Sequence, residues 1–162
     1  MDAVTRCRHI LEELTPLETD CGLLCGSACC RSLPGEETGM LLFPGEAEGY
    51  RDRPGWKVIP SEAGEIVICP GRCERGERPL SCRLFPLLPL RRGGEIRVAM
   101  DARAAAVCPL YGSGARGLVG SFVEAVRACG QELARDEDGL AFLLRLTAQH
   151  DELRAMRKRF RG

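Results

Sequence analysis

Ten cysteines occur in this chain of 162 residues, at positions 7, 21, 25, 29, 30, 69, 73, 82, 108 and 129. Eight of them fall in four short stretches: CGLLCGSACC (21–30), CPGRC (69–73), SCRLFP (81–86) and CPLY (108–111). Gly, Pro, Ser or Arg adjoins nearly every one, and none lies in a long periodic segment. Thiolates in tight turns can converge on a soft cation while nearby amides donate to the sulfurs. Eight is also twice four, the number of thiolates that holds a tetrahedral zinc ion or an iron–sulfur cluster. The candidate metal ligands are therefore Cys21, Cys25, Cys29, Cys30, Cys69, Cys73, Cys82 and Cys108. Cys7 and Cys129 read differently. They occupy apolar positions of helical stripes, where a free cysteine behaves as a small hydrophobe.

The adjacent pair Cys29-Cys30 constrains any assignment. A helix over 21–29 would place Cys21, Cys25 and Cys29 on one stripe, with Cys30 about a quarter turn away. An extended end would instead send Cys29 and Cys30 to opposite sides. Two adjacent thiols are poorly placed to share one ion, so either the pair divides between two sites or one member is not a ligand. Four thiolates around a divalent ion leave negative charge that needs compensation. Arg72, Arg75, Arg78, Arg83, Arg91 and Arg92 crowd the same segment as Cys69, Cys73 and Cys82. Arg78 and Arg83, bracketing PLSC, are the candidates to supply it at a bound cofactor. The alternative is that they are solvated loop arginines. Pro79, Phe85 and Pro86 would form a stiff, dry wall.

Composition limits the other possibilities. The 23 basic and 23 acidic residues cancel, so bulk electrostatics gives no reason to expect a nucleic-acid or anionic-membrane partner. The one hint of an acidic partner is the basic end, where Arg154, Arg157, Lys158, Arg159 and Arg161 cluster. Cations are also favourable at a helix C-terminus for their own sake. The N-terminus lacks the apolar run of a signal peptide, and LFPLLPL (84–90) is too short and proline-rich to span a bilayer. The expectation is a cytoplasmic protein, in which clustered cysteines are metal ligands or redox groups rather than disulfides. His9 reads as a surface residue of the first helix, and His150 as a half-buried residue on an apolar stripe. No Cys–His pair, Ser–His–Asp order, P-loop or dinucleotide fingerprint is present, so enzymatic activity stays open. The Cys-x3-Cys-x3-Cys spacing does not match that of a radical-SAM cluster, and no Cys-x2-Cys lies beside a βαβ pattern.

The elements that must position these thiols are legible in outline. Residues 2–14 carry Val4, Cys7, Leu11 and Leu14 at helical spacing, ended by Thr15-Pro16. Residues 31–68 read mostly as loop, with GMLLFPGE and GEIVIC as short strand candidates. LLPL and EIRVAM flank RRGG and predict a hairpin whose turn uses Gly93 and Gly94. A helical pair over about 116–160 follows. Its first stripe is Leu118, Phe122, Val126, Cys129 and Leu133, and its second is Leu140, Leu143, Leu144 and Leu153, separated by RDEDG. The expected fold is one small α+β domain over 1–162. Its terminal helices pack together around a metal-organised loop and short-strand region at about 20–111.

Taken together, CGLLCGSACC, CPGRCERGERPLSCRLFPLLP and CPLY resemble the cysteine-cluster family described as zinc- or iron-chelating (YkgJ-like). The RP-x-x-CR-x-FP block is the most specific part of the likeness. This chain has three residues in both gaps where the family label gives Cys-x2-Cys-x2-Cys-Cys. The resemblance implies the same eight cysteine ligands, with Arg78, Pro79 and Arg83 as the attendant motif. A related cysteine-rich domain occurs in flagellin lysine methylases. The expected function is a metal-binding protein of one or two centres, iron–sulfur with an electron-transfer role. The alternative is a structural-zinc interaction module without redox activity, whose protein partner the sequence does not name.

Overall fold

The computed structural model describes residues 1–30 and 39–161. Helix α1 (Ala3–Ile10) leads to the short α2 (Gly22–Cys25), followed by strands β1 (Met40–Leu41), β2 (Lys57–Ser61) and β3 (Gly64–Ile68). Helix α3 (Leu80–Leu84) precedes the hairpin β4 (Leu87–Arg92) and β5 (Glu95–Met100). The short α4 (Ala104–Val107) and two long helices, α5 (Gly120–Leu133) and α6 (Glu137–Arg161), complete the chain. The α+β class holds.

Helices α1 and α6 start where the sequence supplies a cap, whereas α5, following Val119, starts without one. Asp2 accepts from the Thr5 amide at 2.8 Å to begin α1, and Asp136 accepts from Gly139 at 2.7 Å to begin α6. Both follow the N-cap rule that a side-chain oxygen serves an orphan amide. The α5 stripe is buried as its periodicity predicts, Leu118, Phe122, Val126, Cys129 and Leu133 all facing inward. The α6 stripe differs from its expectation. Gly139, Phe142, Leu143, Leu146, Thr147 and His150 are buried, whereas Leu144 and Leu153 are exposed. Leu144 follows Leu143 by 100° and so leaves the face. Leu153 belongs to the end of the helix, where residues 151–156 are all exposed.

The hairpin is the platform between these helices. Gly93 (φ 54°) and Gly94 (φ 82°) form its turn, with Arg92 paired to Glu95 and Leu87 to Met100. Helices α5 and α6 both pack on β4, and α1 packs on α5. At Gly130 helix and hairpin come so close that an added Cβ would stand 2.6 Å from Ile96 Cγ2 and 2.8 Å from Pro89 Cβ.

The second sheet has the order β1-β3-β2, all antiparallel. GMLLFPGE and GEIVIC supply β1 and β3 as anticipated. The strand β2 lies in the stretch read as loop, and its Pro60 is tolerated because β2 is an edge strand. Of that stretch, residues 31–38 lie outside the described residues. Leu42, Ala47, Tyr50 and Val67 form a small satellite core under this sheet. Among the described residues, no helix is long and apolar enough to cross a membrane.

Candidate metal centre

The chain delivers its loop cysteines from four directions. Cys21 is the N-cap residue of α2 and Cys25 its last residue, one helical turn apart. The chain then reverses through two left-handed residues, Gly26 (φ 62°) and Ser27 (φ 56°), so Cys29 does not continue the α2 stripe. Residues Ala28–Cys30 instead form a 3₁₀ turn, in which consecutive side chains step by about 120° around the axis. Cys69 follows β3, and Gly71 (φ 87°) turns the chain toward Cys73. The Gly71 amide donates to Cys69 Sγ at 3.4 Å. Cys82 sits in α3, and Cys108 is the residue that ends α4.

All eight of these cysteines line one cavity of about 230 Å³. Pro79, Phe85 and Pro86 contribute to its wall, as do Trp56, Val67 and Leu110. Cys7 and Cys129 are elsewhere. Both are fully buried between α1 and α5, each thiol directed at the other's carbonyl, at 3.4 and 3.6 Å. The facing Cys7 thiol and burial push the Cys129 thiol upward. The sequence distinction between eight loop thiols and two core thiols is thus a spatial one.

Electrostatics within the cavity follows the approach of thiol to thiol. Burial raises Cys21, whose charged neighbours include Asp20, Cys25 and Cys108. Burial raises Cys108 too, beside Cys25. Desolvation likewise raises Cys82, facing Cys30, Cys73 and Cys69, and Cys73, facing Cys30 and Cys69. The Cys29 and Cys30 thiols meet each other. That contact holds Cys29 protonated and favours the thiolate of Cys30, which Arg78 also stabilises.

The two candidate arginines part company. Arg78 faces the Cys73 thiol and favours its charged form, and it lies 3.9 Å from Asp20 Oδ2. Arg83 also borders the cavity, but its guanidinium donates to the carbonyls of Arg78, Arg8 and Gly76 at 3.3, 3.4 and 3.0 Å. Arg75 donates to the carbonyls of Glu12 and Leu11 at 2.8 and 3.1 Å, and also to Leu14, closing the end of α1. Behind the cavity lies a polar hub that sequence reading missed. Arg8 Nη2 donates to Glu46 at 3.0 Å, to the Tyr50 hydroxyl at 2.7 Å and to the Arg78 carbonyl at 3.2 Å. Glu46 accepts from the amides of Phe43 and Leu80, both at 2.9 Å. Tyr50 donates to the Glu77 carbonyl at 2.8 Å. The segment 77–80, which precedes Cys82, is therefore pinned on its outer side. Nothing local marks such a hub, because Arg8 lies 38 to 70 residues from the groups it joins.

His9 is exposed, and His150 is more buried than its stripe suggested, at 2% exposure. Neither imidazole belongs to the cavity lining. Of the basic C-terminal residues, Arg157 donates to the Tyr111 hydroxyl at 2.8 Å and covers its ring at 5.0 Å. Arg154, Lys158, Arg159 and Arg161 are exposed.

A metal or cluster suits this cavity by the chemistry of its donors: eight thiols, no imidazole, and one guanidinium against a thiol. Among the described residues, no three His, Cys, Asp or Glu side chains stand close enough to hold an ion as placed. The fit is thus one of donor type and convergence, not of preformed coordination. No protein-family model matches the chain, and no curated protein or solved structure is found to be similar to it.

Proposed function

We propose that this chain is a cysteine-ligated metal-binding protein, carrying iron–sulfur chemistry with an electron-transfer role. The observation that supports it is the sorting of the cysteines. Eight from four separate segments border one cavity, while the other two fill the core. Convergence of thiols alone, with no imidazole or carboxylate pair among them, suits thiophilic iron and zinc. A second support is local. Residues 17–30 include no buried side chain, so packing does not hold the segment that carries four of the thiols. Ligation to Cys69, Cys73, Cys82 and Cys108 would cross-link it to the body, as metal sites do in loop-rich domains.

An iron–sulfur group, when bound, supplies one-electron chemistry. The chain's own residues do the rest. The thiols bind, Phe85 and the flanking prolines limit water, and Arg78 offsets negative charge at Cys73. A structural-zinc interaction module is the second reading, because the same unpacked segment would be folded equally well by a redox-silent ion. The test is anaerobic purification followed by iron, sulfide and zinc analysis per chain. Brown protein with iron and acid-labile sulfide is the expected result. Colourless protein with stoichiometric zinc would replace the electron-transfer reading by the zinc one. Freshly prepared protein with no metal would remove both.

A further inference from the structure

We propose that Arg157 is a positioning residue for the cysteine cavity: by clasping Tyr111 it holds Cys108 in place for a metal or cluster. This role rests on the metal-binding reading above. It belongs to a residue of α6, a helix that contributes nothing to the cavity lining among the described residues.

Helix α6 is longer than the core requires. Its last buried residue is His150, yet the helix continues to Arg161, about 16 Å further at 1.5 Å per residue. Every side chain in 151–161 is exposed except that of Arg157, which is half-buried. At the start of this stretch Asp151 pairs with Arg92 of the hairpin at 2.9 Å. Further along, Arg157 Nη1 donates to the Tyr111 hydroxyl at 2.8 Å, and its guanidinium lies 5.0 Å from the centre of the Tyr111 ring. The extra turns thus reach the segment that carries a cavity thiol.

That segment has little else to fix it. Residues 105–117 bury no side chain, and Leu110 and Ala115 pack only partly against the core. Main-chain bonds tie its flanks, from Asp101 to the Pro86 carbonyl at 2.8 Å and from Val119 to the Pro16 carbonyl at 2.9 Å. Tyr111 stands in the 3₁₀ turn Pro109–Ser113, which Cys108 caps, and its amide donates to the Cys108 carbonyl at 3.1 Å. One hydrogen-bonded turn therefore separates the clasped ring from the thiol. A guanidinium over a tyrosine ring, with a hydroxyl hydrogen bond, favours the clasped state by roughly ten-fold. Cys108 keeps its place in the absence of metal, while residues 17–30 must be gathered by it.

The test uses full-length protein purified anaerobically. It measures the rate at which a chelator removes the metal and, in metal-free protein, the amide hydrogen exchange of residues 105–117. Arg157→Ala is expected to speed metal loss by roughly five- to ten-fold and to speed exchange across 105–117, with α5 unchanged. Tyr111→Leu should reproduce both effects, and the two substitutions together should add nothing. Arg157→Lys, which keeps a cation and a donor at the ring, should recover most of the retention. Arg159→Ala removes the same charge from an exposed position and should match the wild type. Metal loss from Arg157→Ala at the wild-type rate overturns the proposal. Equal acceleration by Arg159→Ala also overturns it, by assigning the effect to charge, as does faster exchange throughout α5, by assigning it to general destabilisation. Wild-type protein without any metal rejects the metal-binding reading and the role in retention with it, whereas the clasp itself stands or falls by the exchange of 105–117.

Discussion

Arg78 and Arg83 look equivalent in the sequence, five residues apart on either side of PLSC, yet they have different neighbours. Arg78 meets a thiol and Asp20, while Arg83 meets three carbonyls. Removing a partner that supports a metal ligand typically costs about 10–100-fold in affinity. Arg78→Ala should therefore weaken metal retention by about that factor in a chelator competition. Arg83→Ala should instead lower thermal stability with little change in retention. Equal effects on retention would contradict the distinction. His150 gives a second residue-scale expectation. Its ring nitrogens are buried without hydrogen-bond partners, and burial lowers its pKa from the ordinary 6.5. Asp101 and Asp151 oppose that shift, while Arg154 and Arg92 add to it. The unfolded chain thus binds the proton more readily, and stability should fall as pH drops below about 6.5, until the folded imidazole itself protonates. His150→Leu should flatten that limb of a denaturant-midpoint profile between pH 7 and 5. An unchanged profile would show that other groups cause it.

At the scale of elements, the contact between α5 and the hairpin is the least forgiving. Gly130→Ala would drive a methyl group into Ile96 and Pro89, and overpacking of this kind costs about 1–3 kcal/mol. The expected readout is a lower denaturant midpoint with an unchanged slope. Elements of this sort were legible where the signal is local. The Gly93-Gly94 turn and the α5 stripe follow from positive-φ chemistry and helical period. Strand β2 was not legible, because Pro60 and its flanking polar residues hide the alternation of an edge strand. The α6 stripe was half legible. Its sequence carries leucines on several faces, and only packing against β4 selects Leu143 over Leu144.

Across the whole molecule, the apolar core and the segment that carries four of the cavity thiols are built from different stretches. The core draws on α1, α3, the hairpin, α5 and α6, whereas residues 17–30 bury no side chain. Stripping metal from the protein should therefore loosen residues 17–30 selectively. Limited proteolysis is expected to cut there first, with helix content largely preserved. Cleavage spread evenly along the chain would argue against this separation. The identity of the cavity thiols was readable from residue type and loop context. Their convergence on one cavity was not, since it depends on contacts between distant segments, such as α4 meeting the 28–30 turn and Gly71 meeting Cys30.

The reciprocal Cys7–Cys129 contact gives this division a chemical clock. A thiol-alkylating reagent can reach those two sulfurs only when α1 and α5 separate, so their modification times the opening of the entire core. The eight cavity thiols are governed by local accessibility and by whatever they bind. Metal-free protein should then alkylate in two kinetic classes, eight sulfurs quickly and two at the pace of global unfolding. One chain thus reports both its local and its global opening through a single reagent.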